Sequence, residues 1–410
     1  MEQLHLVYAM VGVLGVALAL VSTVVRRSPI SEPLLALVLG VLVGPAVLGL
    51  VELDDGTRDV LLLEGTRLLL AWSVMAAALR FRWSGLRSVV RPVALLLLVV
   101  MPLAMVVGGA AALAAGLPLG LALLVGACLS PTDPVLASSV VSGGPAERDL
   151  PLRLRQALTA ESGANDGLGL PFVLVGLAVV LPGLTAGGAA VEMVREVLGA
   201  VVVGAVLGTV VGHLVPDADD RRALAGGPRL VLTLLLAVAV LGVARLVGTD
   251  GVLAVFVAGL AYNRVVPTSD REPQDSLDEA VNRYAVLPFF LLLGVVLPWS
   301  DWAALGWGAA VLAAAVLLVR RLPVLLLLHR PLGLSWREGA FAGWFGPMGV
   351  SAVFYLAYSL DEGVSDPRVF AAGTLAVAVS VVAFGVTAAP ATRAFGRAHG
   401  SGRTRHSGSS

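Results

Sequence analysis

Leu129-Ser130-Pro131-Thr132-Asp133-Pro134 falls inside an apolar run, residues 118–142, that is otherwise long enough to cross a bilayer as a single helix. Two prolines three positions apart remove backbone donors and clash with the preceding turn, so the helix must stop and restart around Asp133. A second interruption, Gly343-Trp344-Phe345-Gly346-Pro347-Met348-Gly349, lies within the run 338–360. Prolines can kink a membrane helix without any further role. Two breaks at corresponding places in one chain instead point to irregular backbone that lines a site.

Around these breaks the chain is apolar throughout. Of its 410 residues 58% are hydrophobic and 14% charged, with mean hydropathy +0.91; soluble domains average about 45–50% apolar and about 25% charged. Thirteen windows fit a span: 4–24, 30–51, 61–79, 93–115, 118–142, 153–181, 188–214, 229–247, 249–263, 278–297, 302–328, 338–360 and 368–390. The predicted fold class is therefore an all-α polytopic membrane protein, with a membrane domain over 1–390 and a short polar tail over 391–410. The first window is too long for a cleavable signal, and Arg26-Arg27 follows it rather than preceding it, so it reads as a retained helix.

Every basic residue is arginine, and the arginines divide 23 to 5 between the two sets of alternate loops. Positive loops stay cytoplasmic, which places the N-terminus outside and the C-terminus inside a plasma (inner) membrane. The breaks in the fifth and twelfth windows lie seven spans apart. That spacing predicts inverted repeats of helices one to six and eight to thirteen, joined by the seventh, with a site near the bilayer midplane.

Several function classes drop out. Lys+Arg (28) balances Asp+Glu (28), leaving no basic surplus for nucleic acid. A lone Cys128 can neither close an internal disulfide nor supply a thiolate metal site. No span carries a His-x-x-x-His pair or a Gly-x-Ser-x-Gly elbow, so nothing supports an intramembrane enzyme, and no cofactor is called for. His5, His213 and His329 lie near span ends and read as interfacial. Glu64 and Arg67, one turn apart, read as a local pair.

The chemistry resides in the acids. An ionisable group at the centre of a span costs about 2.5–3.5 kcal/mol, so it marks function by default. Asp133 sits in the first break, and Glu161 and Asp166 lie in the sixth span, in Glu161-Ser162-Gly163-Ala164-Asn165-Asp166. Ser162 and Asp166 are four apart and share a helix face, whereas Glu161 points elsewhere. On the first face Asp166 and Ser162 converge on Asp133 and Thr132. Carboxylates, a hydroxyl and unwound carbonyls are the oxygen ligands a hard cation such as Na⁺ requires. A proton and a cation can compete for the same oxygens, and that competition suffices for antiport. Asp133 has a plainer reading as a helix cap. Glu161 needs a counter-charge, Arg320 or Arg321 of the eleventh span, while the other arginine reads as a helix-end residue. A proton- or cation-coupled carrier of an organic anion is the alternative transport reading, although no arginine falls clearly at the midplane to receive the anion.

Cys128-Leu129-Ser130-Pro131-Thr132-Asp133-Pro134, with Glu161-Ser162-Gly163-Ala164-Asn165-Asp166-Gly167 and the Gly343–Val350 stretch, resembles the first family of monovalent cation:proton antiporters. The likeness is to bacterial sodium/proton antiporters and to fungal plasma-membrane alkali-cation/proton antiporters. The resemblance implies a homodimer of thirteen-helix protomers in which the fifth and twelfth helices are unwound and cross. It also implies Na⁺, Li⁺ or K⁺ and H⁺ as substrates and a role in pH homeostasis. Asp166 would bind cation or proton, with Asp133, Thr132, Ser162 and Asn165 around it. Glu161 would pair with Arg320, because Val324 then follows at the family spacing, or with Arg321. One departure stands out: many relatives carry arginine where this chain has Met348, so a positive charge is missing from the second break.

Overall fold

A computed structural model describes residues 30–80, 86–133, 136–137, 148–181, 186–214, 227–266 and 285–403, together with residues 9, 12, 13 and 16 of the first predicted span. The remainder of that span, Arg26-Arg27, Pro134 and the end of the chain after Arg403 lie outside the described residues.

The described residues are helical and contain no strand. In chain order the helices are α1 (Glu32–Val43), α2 (Asp55–Leu79), α3 (Leu86–Leu95 and Met101–Ala114 joined by a π turn, Leu96–Val100) and α4 (Leu119–Cys128). They continue as α5 (Leu152–Val180), α6 (Ala186–Leu214), α7 (Gly227–Val247), α8 (Gly251–Val265), α9 (Leu287–Val295) and the short α10 (Trp299–Ala304). Last come α11 (Trp307–Ala314, the π turn Ala315–Val319, and Leu322–Leu328), α12 (Trp336–Trp344), α13 (Val350–Asp361) and α14 (Pro367–Arg403). Among the described residues six helices are long and apolar enough to cross a membrane on their own: 55–79, 90–114, 152–180, 190–214, 307–328 and 367–397.

Ends are set by local chemistry. Asp54 caps α2 by accepting the Thr57 N–H at 2.9 Å, and this bond holds its carboxyl below the usual carboxylate range. A reciprocal capping box opens α12, with Ser335 N–H donating to Glu338 at 2.6 Å and Glu338 N–H to Ser335 at 3.3 Å. Among the boundaries that depart from the sequence reading, three bear on the fold. The second span stops at Val43, where Gly44-Pro45 turns the chain. The eleventh starts at Trp307 rather than 302, because Gly306 at φ 55° breaks the chain in a conformation that favours glycine. The last continues to Arg403, and Phe395 packs on Phe341 with ring centres 5.0 Å apart, so part of the expected tail is docked helix.

Small residues let the helices approach closely, as membrane packing requires. Gly40 of α1 meets Gly294 of α9, and Gly108 and Gly109 of α3 meet Gly126 of α4. Against α4 lies α5, which carries the acids, while α13 packs on α2, α4 and α5.

Candidate functional site

Both helix breaks form where the prolines require them, and they meet. After Cys128 the chain leaves the helix, and Leu136 and Ala137 are helical again. Asp133 accepts the Leu136 N–H at 2.9 Å. Its other oxygen accepts the N–H of Val350, the first residue of α13. The Asp133 N–H in turn donates to Pro347 O at 2.8 Å, so the breaks are stitched by backbone as well as side chain. The approach requires a glycine, because a Cβ on Gly349 would stand 2.6 Å from Asp133 Oδ2. One buried carboxylate thus faces the positive N-terminal end of α13 while also accepting the Leu136 amide.

Arg320 does the converse. Its guanidinium, 1% exposed, donates to Leu129 O at 2.5 Å, to Pro131 O at 3.3 Å and to Gly346 O. Those carbonyls are left over where the first half of each broken helix ends, and a cation there is favourable. Met348 therefore leaves no gap in charge at the second break, because Arg320 of α11 supplies it. Glu161 pairs with Arg321, at 2.5 and 2.7 Å in a two-pronged contact, and Arg321 Nε also holds Ala342 O at 3.0 Å. The preferred partner from sequence, Arg320, is thus replaced by its neighbour. Adjacent residues on a helix diverge by about 100°, so only one can face Glu161. The π turn Ala315–Val319 and the non-helical Arg321 (φ −132°) reset the register on which the Val324 spacing was counted. Neither arginine is an exposed helix-end residue; both are buried.

The second polar group lies on α5. Glu161, Ser162, Asn165 and Asp166 are all buried. Asn165 Nδ2 donates to Thr132 Oγ1 at 2.7 Å, Thr132 Oγ1 stands 3.4 Å from Ser162 Oγ, and Ser162 donates to Leu158 O at 2.9 Å. These bonds join Thr132, Ser162 and Asn165, three of the five residues expected around one ion, while Glu161 lies beside Thr132 and Ser162 on a shared cavity rather than apart from them. Asp166 is wholly buried, yet among the described residues neither of its oxygens has a hydrogen-bond partner, nor does Asn165 Oδ1. Beside this group a cavity of about 10 Å³ is lined by Thr132, Ser162, Glu161, Arg321 and Phe345, room for about one water. No group of three or more His, Cys, Asp or Glu able to hold a metal occurs among the described residues. Two residues on α13 were missed from sequence: Tyr355, whose hydroxyl donates to the Asp166 backbone carbonyl at 2.5 Å, and Ser351. A hydroxyl placed immediately after a helix break was the available signal.

Helices long and apolar enough to cross a membrane, and two interrupted helices that meet close to a buried carboxylate, define the class as a multi-pass membrane protein with a polar site in its interior. Residues 14–394 match the family described as sodium/hydrogen exchanger, transmembrane, and the chain belongs to that family of multi-pass membrane transporters. It is 34% identical over 373 residues to Na(+)/H(+) antiporter 2 of Zygosaccharomyces rouxii, covering 85% of this chain and 45% of that one. It is 30% identical over 376 residues to the Na(+)/H(+) antiporter of Schizosaccharomyces pombe, covering 87% and 80% respectively. The chain spans about half the length, or less, of the first curated relatives it matches. Among solved structures, the sodium proton antiporter MjNhaP1 from Methanocaldococcus jannaschii superposes with TM-score 0.77 at 19% identity, covering 96% of this chain and 98% of that one. This likeness shows the fold.

Proposed function

We propose that the chain is a secondary antiporter of the plasma (inner) membrane that exchanges Na⁺ for H⁺, with Li⁺ and K⁺ as further candidate substrates, both ions competing at Asp166. The observation that carries this reading is that both Asp166 oxygens are buried without a hydrogen-bond partner among the described residues. A buried carboxylate in that condition is stabilised by taking a proton or a cation, and it cannot take both. Asn165 Oδ1 and the Thr132 and Ser162 hydroxyls complete an oxygen-rich surround suited to a hard cation. Asp133, with both oxygens accepting backbone amides, contributes fixed negative charge and holds the crossing. Glu161 and Arg321 form a structural pair. With one titrating carboxylate at the site, exchange is one-for-one and electroneutral. The thirteen-span inverted repeat, the outside N-terminus and cytoplasmic C-terminus, and the homodimer belong to the same proposal.

The organic-anion alternative is disfavoured because the buried arginines of α11 are both bound to protein oxygens. Purified protein in liposomes with an imposed pH gradient tests the proposal. Na⁺ added alone should dissipate the gradient. If Na⁺, Li⁺ and K⁺ all fail to do so, the proposal is wrong.

A further inference from the structure

Serine and threonine inside a helix ordinarily donate to the carbonyl four residues back. This chain follows the habit: Ser162 bonds Leu158 O at 2.9 Å, Ser359 bonds Tyr355 O at 2.7 Å, Thr374 bonds Phe370 O at 2.7 Å and Thr392 bonds Ala388 O at 2.9 Å. Ser351 does not. It is the second residue of α13, so four residues back lies Pro347, inside the break rather than in a helical turn, and the Pro347 carbonyl accepts the Asp133 N–H at 2.8 Å. Ser351 is 0% exposed and its Oγ has no hydrogen-bond partner among the described residues. It lies four residues before Tyr355, on the same face of α13, and that face meets α5 at Asp166, where the Tyr355 hydroxyl bonds the backbone carbonyl.

One turn further along α13, Tyr355 fixes the distance between the two helices. Its hydroxyl donates to Asp166 O at 2.5 Å, and its ring occupies the space where a Cβ on Gly169 would lie, 2.7 Å from both Cζ and the hydroxyl oxygen. The side of Asp166 that faces α13 is therefore held at a set spacing, and the polar atom presented there is Ser351 Oγ.

We propose that Ser351 is a ligand of the transported cation and helps to set its selectivity. This rests on Asp166 as the shared site. Ser351 Oγ donates a lone pair to the cation bound at Asp166, and it accepts the hydrogen bond from Asp166 when that carboxyl is protonated. A hydroxyl held at fixed spacing favours the ion whose radius fits the gap, so its loss weakens Na⁺ and Li⁺ more than the larger K⁺.

The test compares wild type with Ser351→Ala, Ser351→Cys and Ser351→Thr, alongside Asp166→Asn, in liposomes at a pH where the wild-type affinity no longer changes. Cysteine fills the space with a poor acceptor, whereas threonine keeps the hydroxyl. Ser351→Ala and Ser351→Cys should raise the half-saturating Na⁺ concentration about tenfold, with a smaller change for K⁺. Ser351→Thr should restore much of the affinity. The Na⁺-induced rise in melting temperature of the purified protein should shrink in the same two variants. Unchanged affinities for all three ions in both the Ala and Cys variants, with Asp166→Asn silent, overturn the assignment of Ser351 and leave Asp166 standing. Exchange that persists in Asp166→Asn overturns both.

Discussion

Asp133 and Asp166 are both wholly buried, and they are treated in opposite ways. One oxygen of Asp133 accepts the Leu136 N–H and the other the Val350 N–H, so its charge is spent on two backbone amides. Neither oxygen of Asp166 meets a donor among the described residues. The contrast separates a carboxylate that builds a crossing from one left available to an exchangeable ligand. It also shows why burial alone does not identify a transport residue: the partners of each oxygen decide.

Mutation should therefore split the two. Asp166→Asn removes the titrating oxygen at almost constant volume, and Na⁺-driven proton flux should fall below detection while the melting temperature stays near wild type. Retained flux would break the comparison. Glu161→Gln should chiefly damage stability, by about 3–5 kcal/mol, because it strands the buried Arg321 without its partner charge. A normal melting temperature with greatly weakened Na⁺ dependence would reverse the roles assigned to Glu161 and Asp166. Asp133→Asn turns one amide acceptor into a donor facing a backbone N–H, at a cost of about 1–3 kcal/mol. It should lower the melting temperature by less than Glu161→Gln and leave the pH dependence of Na⁺ affinity in place. Loss of that dependence would make Asp133 a partner in titration rather than a cap.

Far from the crossing, Asp366 gives the smallest effect. Its hydrogen bonds from Arg368, the shortest 2.6 Å, hold the carboxyl below the usual range. A group depressed on folding stabilises above its unfolded pKa and loses that contribution as pH falls through the folded one. Asp366→Asn should thus lower the melting temperature slightly at pH 7, and the difference should begin to shrink below about pH 3.9 and vanish below the lower pKa of the folded state. A difference that grows in acid would contradict the sign.

Much of this was legible from residue spacing, and the failures are local. Pro131 and Pro134, with the Gly346-Pro347 pair, announce both breaks because proline physics needs no tertiary context. The four-residue spacing of Ser162 and Asp166 puts them on one face of a regular helix and Glu161 on another, and Glu161 takes a partner of its own in Arg321. The choice between Arg320 and Arg321 stayed open, with Arg320 preferred, because the π turn before Arg320 cannot be read from an apolar run such as Ala315-Val316-Leu317-Leu318-Val319. The position of Ser351 depends on which face α13 turns toward α5, and only packing sets that. Gly306 was overlooked because one glycine among 47 carries little signal until its φ is known.

The central claim is that one proton and one cation exclude each other at Asp166. Its most direct test is the apparent Na⁺ affinity as a function of pH, measured on purified protein. On this account the affinity weakens about tenfold for each pH unit below the pKa of the site, each unit being about 1.36 kcal/mol of deprotonation to supply, and it levels off above. An affinity that stays constant across the acid limb would contradict a shared site.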